Sequence, residues 1–195
     1  MQLDAEDRGF SFLREGPLDM RMDQSQTLTA EEIVNKWSEK ELAMIFREYG
    51  EEPRWKKAAN AITIARKKER IRTTTQLANI LSYNLKTKLR NKLHPATLVF
   101  QGLRIAVNKE LLSVEEGIKK AIDWLAPNGK IAVISFHRLE DRIVKNMFRS
   151  FSHPVGTKEF FLKLLTKKPI CPSPKEVQKN RRARSGKLRV AQKIS

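Results

Sequence analysis

The sequence predicts an α/β fold in which an all-helical segment precedes the second half of an open sheet. Three observations carry that prediction. Thr29 with Glu32, Ser38 with Glu41 and Thr73 with Gln76 each have the spacing of a helix capping box, so helix starts crowd one stretch of chain. Ile131 to Ile134 is a short, branched, apolar run, the composition of a parallel strand buried on both faces. Two later extended stretches, Phe160 to Ile170 and Lys187 to Ile194, complete an alternation of helix and strand.

Taken in order, residues 1–26 form a long ordered loop, because Gly9, Gly16 and Pro17 break any periodicity. Residues 27–93 follow as a helical domain of their own, and residues 94–195 carry the sheet. Pro95 suits the first turn of a helix that aligns Phe100, Leu103, Val107 and Leu111 on one face. Ser113 with Glu116 caps the next helix, whose apolar side holds Val114, Ile118, Ala121, Ile122 and Leu125. Pro127, Asn128 and Gly129 make a turn before the strand. A helix from Leu139 to Phe151 then turns Ile143, Met147 and Phe151 inward.

With 195 residues, 40% of them apolar, the chain can bury one substantial core, or a core and a small satellite. Its 39 Lys and Arg against 22 Asp and Glu give a net charge of +17, which points to a polyanionic partner, nucleic acid first. The single cysteine, Cys171, excludes an internal disulfide framework and a cysteine-built zinc site, and suits a reducing, cytoplasmic location. No apolar run reaches the length of a membrane span, and the first residues lack the pattern of a signal peptide.

The positive charge is clustered. Arg54 to Arg72 contains Lys67, Lys68 and Arg70 among eight cations, opposed only by Glu69. Lys86, Lys88, Arg90 and Lys92 alternate ahead of His94, and the tail carries Lys175, Lys179, Arg181, Arg182, Arg184, Lys187 and Arg189. Such clusters neutralise phosphates and release counterions; the alternative is a solvated helix face. No glycine-rich nucleotide loop can be drawn, since Gly9 and Gly16 are the closest pair of glycines. His94, His137 and His153 are too scattered for a metal site, and His94 and His137 read as local hydrogen-bonding residues. Gly16 to Asp23 serves no helix or strand period, so its two acids, one base and two methionines line a pocket or close an Asx-type turn.

Several blocks, in order along the chain, are similar to one family. They are Gln2-Leu3-Asp4, Arg8 to Phe12, Gly16 to Asp23, His94 to Thr97, Phe100-Gln101, Leu103 to Ile105, Val107-Asn108, Ser135 to His137, Leu139 to Arg142, Arg184-Ser185 and Lys187 to Arg189. Together they resemble the ribosomal RNA small subunit methyltransferase H family. Leu98, Arg138 and Arg181 depart from its usual arginine, serine and proline. The resemblance implies a class I (Rossmann-like) methyltransferase sheet interrupted by a helical substrate-recognition domain. It implies S-adenosylmethionine as cofactor, and as substrate the N4 amine of a cytidine in the decoding region of 16S rRNA, within the small ribosomal subunit. Of the family's cofactor contacts Gln2 is present, and the glycine-rich loop and acidic ribose ligand are expected before Met1, in an N-terminal half that this chain lacks.

Cytosine N4 is a weak nucleophile, so an acceptor must sit near the amine. The chain has no Pro-Pro pair and hence no Asn/Asp-Pro-Pro-aromatic motif, which leaves Asp19 and Asp23 as the candidate acceptors, with Arg21 as their partner. Lys67, Lys68, Arg70, Lys88, Arg90, Arg104, Arg184, Lys187 and Arg189 are the expected RNA contacts. The competing expectation is a non-catalytic RNA-binding or ribosome-assembly protein derived from such an enzyme. A DNA-binding protein is disfavoured by the lack of a helix-turn-helix signature or heptad zipper.

Overall fold

The computed structural model describes residues 8–85, 94–152 and 162–194. The chain divides into two compact units, 1–110 and 111–195. The division falls after Glu110, because the helix that follows His94 packs into the helical core.

The first unit contains α1 (Ala30–Lys36), α2 (Glu39–Glu48), α3 (Trp55–Lys68), α4 (Thr74–Asn84) and α5 (Thr97–Asn108). Ser38 and Thr73 make full capping boxes with Glu41 and Gln76. Thr29 makes only half of one: its hydroxyl accepts from the Glu32 amide, while the Glu32 carboxylate takes Lys36 at 2.5 Å instead. The core gathers Ile33, Leu42, Phe46, Ile62, Leu77, Leu81, Val99 and Leu103, together with Leu18 and Met20 from the N-terminal loop. Two glycines allow α2 and α5 to approach. A Cβ on Gly50 would meet the Leu98 carbonyl oxygen at 2.5 Å, and one on Gly102 would meet that of Ile45 at 3.0 Å. His94 is a local hydrogen-bonding residue, its Nδ1 accepting from the Ala96 amide and its ring stacked on Phe12 at 4.6 Å.

In the second unit, α6 (Glu110–Trp124) starts before the predicted cap: Ser113 is a helix-interior residue, since the break falls at Lys109, which is left-handed at φ 49°. Ile118 and Ile122 are its buried residues. The turn at Pro127–Gly129 forms as expected, with Asn128 at φ 63° and the Gly129 amide donating to the Ala126 carbonyl. β1 (Lys130–Ser135), α7 (Arg138–Ser152), β2 (Leu162–Leu164), the short α8 (Pro174–Lys179), a 3-10 turn (Arg181–Ser185) and β3 (Lys187–Lys193) complete the unit.

The sheet order is β1-β3-β2, and β3 is antiparallel to both neighbours. β1 and β2 therefore run parallel to each other through α7, with the last strand inserted between them. This corrects the expectation of β1 as a strand buried on both faces and paired in parallel. Among the described residues it pairs only with β3, and Ile131 and Ser135 are buried while Ala132 and Ile134 face outward. On α7 the buried positions are Leu139, Asp141, Val144 and Phe148; Met147 and Phe151 only flank the core. His137 caps this helix. Its Nδ1 accepts from the Glu140 amide, and the Glu140 carboxylate accepts from the amides of Phe136 and His137.

Candidate functional site

In the first unit the segment from Gly16 to Gln26 is held from all sides. Its alternation puts Leu18 and Met20 into the core and leaves Asp19 and Arg21 part-exposed. Leu18 donates its amide to the Arg72 carbonyl, and the Asp19 and Leu18 carbonyls accept from the amides of Ala30 and Glu31 at the start of α1. Met20 takes the left-handed region at φ 65°, unusual for a residue with a side chain. Two residues fix that conformation. Asn108 donates its Nδ2 to the Met20 carbonyl at 2.7 Å and accepts the Met22 amide on Oδ1 at 2.7 Å. Arg8 donates from one terminal nitrogen to the carbonyls of Arg21 and Met22. Gly9, at φ 68°, passes so close to the loop that a Cβ would lie 2.1 Å from the Pro17 carbonyl oxygen.

Within this loop the two expected acceptors differ. Asp19 takes Arg21 through both oxygens at 2.7 Å, and the same guanidinium donates to the carbonyls of Gln24 and Gln26. Hydrogen bonding from Arg21 holds the Asp19 carboxyl below its ordinary range, with the residue's partial burial opposing. Asp23 closes an Asx-type turn, accepting the amide and hydroxyl of Ser25 on the single oxygen Oδ1. Those bonds lower its pKa as well. Its Oδ2 carries neither of them.

The expected RNA contacts separate into three groups. Lys67 and Lys68 are exposed at the end of α3, and Arg184 borders a shallow pocket of about 780 Å³ with Pro172, Pro174 and Arg181. Arg70 and Arg104 are ion-paired, to Glu31 at 2.7 Å and to Glu110 at 2.7 and 3.0 Å. Arg189 is 8% exposed and bidentate to Asp141 at 2.7 and 3.2 Å, with Lys187 at 3.4 Å from the same carboxylate. The Arg189 side chain thus holds β3 to α7 rather than lying on an open surface, a correction to its expected place. Gln2, Lys88 and Arg90 lie outside the described residues.

The sequence singles out Asn108, Arg8 and Asp141 only within the blocks of family resemblance and gives none of them a role. Their partners lie far away along the chain, and no local spacing signals them. The described residues also do not build a cradle for S-adenosylmethionine. The tightest glycine, Gly9, is closed against the chain's own backbone rather than open to a cofactor.

Comparison with known proteins gives the family. A family model described as the MraW methylase family matches residues 1–194. The ribosomal RNA small subunit methyltransferase H of Protochlamydia amoebophila is 48% identical over 204 residues, covering 99% of this chain and 65% of that protein. The protein of that name from Synechocystis is 53% identical over 194 residues, covering 99% of this chain and 60% of its own length. This chain therefore spans about 60 to 65% of the length of these curated relatives. With nearly every residue matched and about half of them identical, the chain belongs to the MraW methylase family.

Proposed function

We propose that this chain acts in methylation of the N4 amine of a cytidine in 16S rRNA, with S-adenosylmethionine as the methyl donor. The observation that carries this reading is family membership across residues 1–194. Three features agree with it: the parallel β1-α7-β2 connection of an α/β sheet, the separate helical unit, and the cationic end of α3. In this reading the helical unit is the substrate-recognition insertion in a class I sheet, and the small ribosomal subunit is the partner.

The cofactor supplies an electrophilic methyl group when bound. Asp19 and Arg21 act as one latch that fixes the loop, because both carboxylate oxygens are engaged. Asp23 is the acceptor for the amine. Its Oδ2 is left over from the Asx turn, so the carboxylate keeps one oxygen able to accept a hydrogen bond from N4.

The test is methyl transfer to purified small subunits lacking the modification, with the chain supplied together with the remaining third of a relative and read as N4-methylcytidine by nucleoside mass spectrometry. Turnover that falls at least tenfold in Asp23→Asn with RNA affinity unchanged supports the reading. Tight RNA binding without N4-methylcytidine would favour a non-catalytic ribosome-assembly role. Equal losses of rate and affinity in Asp23→Asn would give the loop a structural role.

A further inference from the structure

Between α3 and α4 lies a groove of about 410 Å³. Its α3 wall is Ala61, Ile64 and Lys68, at the spacing of one helix face, and its α4 wall is Ile80, Tyr83 and Asn84. Two large apolar side chains here face water rather than the core: Ile64 is 51% exposed and Tyr83 is 75% exposed. Neither exposure follows from the packing of the bundle, whose core on these helices is Ala58, Ile62, Leu77 and Leu81. Asn84, which also lines the groove, donates its Nδ2 to the Ile80 carbonyl and so uses one of its polar edges within α4.

Charge selects the occupant. Lys68 lines the groove, and Lys57 stands one turn before Ala61 on the same helix face, so a cation marks each end of the α3 wall. From Pro53 to Lys109 the sequence holds a single acid, Glu69. A partner helix would need several times this apolar area to bind stably, and an acidic peptide, whose charged side chains carry no flat apolar face, would leave Tyr83 unused. A nucleobase has a flat apolar face for Tyr83 and Ile64, polar edges for Asn84, and phosphates on either side for Lys57 and Lys68.

We propose that the α3–α4 groove takes one unstacked base of single-stranded RNA on Tyr83, with Lys57 and Lys68 on the flanking phosphates. The site deepens the reading of the chain as an rRNA-modifying protein and rests on it. It gives the helical unit a grip on looped-out RNA that is separate from the loop carrying Asp23.

The experiment measures affinity of the chain for a single-stranded 16S rRNA fragment as a function of salt, and for the same fragment with abasic positions. Tyr83→Ala should weaken binding about tenfold, and Tyr83→Phe should leave it close to wild type. Lys57→Gln and Lys68→Gln should each lower the salt slope by about one. On the abasic fragment wild type and Tyr83→Ala should bind alike. Tyr83 is exposed, so circular dichroism of Tyr83→Ala serves to show an unchanged fold. If wild type binds the fragment but Tyr83→Ala is unaffected, the groove proposal falls and the RNA reading stands. No RNA binding by wild type overturns both. Unchanged RNA affinity in Tyr83→Ala together with loss of a ribosomal protein would make the groove a protein site and overturn the proposal.

Discussion

At the scale of single residues, the second unit depends on one buried carboxylate. Asp141 on α7 receives both Arg189 and Lys187 from β3, so a single side chain ties the helix to the central strand. Hydrogen bonding from Arg189 lowers the Asp141 pKa below its ordinary value, with burial opposing. A folded-state pKa below the unfolded one means that the ion pair's stabilisation is fully present above about pH 4 and is lost as pH falls through the folded value. Asp141→Asn should remove that acid sensitivity and, by leaving Arg189 buried without a counter-charge, cost on the order of 3 kcal/mol. Amide hydrogen exchange in β1 and β3 at pH 7 and pH 3 reads both effects. Equal protection in wild type and variant at pH 7 would show that the pair is dispensable.

Elements were legible in the sequence where their signals are local. Ser38 with Glu41 and Thr73 with Gln76 marked real helix starts, and the Pro127–Gly129 turn formed where its residues allow a left-handed step. Ser113 with Glu116 had the same spacing and failed, because the left-handed Lys109 had already ended one helix and started the next. Ser173 with Glu176 has it too, and there the Ser173 side chain caps α8. Partnership of strands was not legible at all: an apolar run does not say whether its neighbour is parallel, and the β3 insertion depends on residues 52 to 62 positions away, from Ser135–Lys187 to Lys130–Gln192. At the site, the Asx turn of Asp23 is a two-residue signal, whereas the Asn108 clamp spans 86 and 88 residues. Caps give a direct prediction at this scale. Thr73→Ala should cost about 1 kcal/mol, since it removes the oxygen that accepts the Gln76 amide at the start of α4. Trp37 and Trp55 pack against the first core while Trp124 is 89% exposed, so tryptophan fluorescence during urea unfolding reports the first unit. An unchanged midpoint would mean that the Gln76 half of the box is sufficient.

At the scale of the whole molecule, a charge of +17 competes with exposed apolar surface. In the second unit β1 is an edge strand among the described residues, and beside that edge Ile134 is 61% exposed and Phe136 54% exposed. An edge with outward branched side chains is a template for pairing with another copy. At low ionic strength, repulsion between like-charged molecules reaches about 30 Å and keeps such edges apart. At about 0.15 M salt the screening length falls to roughly 8 Å, comparable to the approach distance of two strands, and the apolar contact decides the outcome. Self-association should therefore rise with salt, opposite to the trend for binding to RNA phosphates. Ile134→Lys places a cation on the edge strand and removes the apolar contact at the same position, so light scattering of the variant should stay flat across the range where wild type rises. If the variant associates as readily as wild type, the sticky surface lies elsewhere on the molecule, and β1 is protected despite its exposed edge.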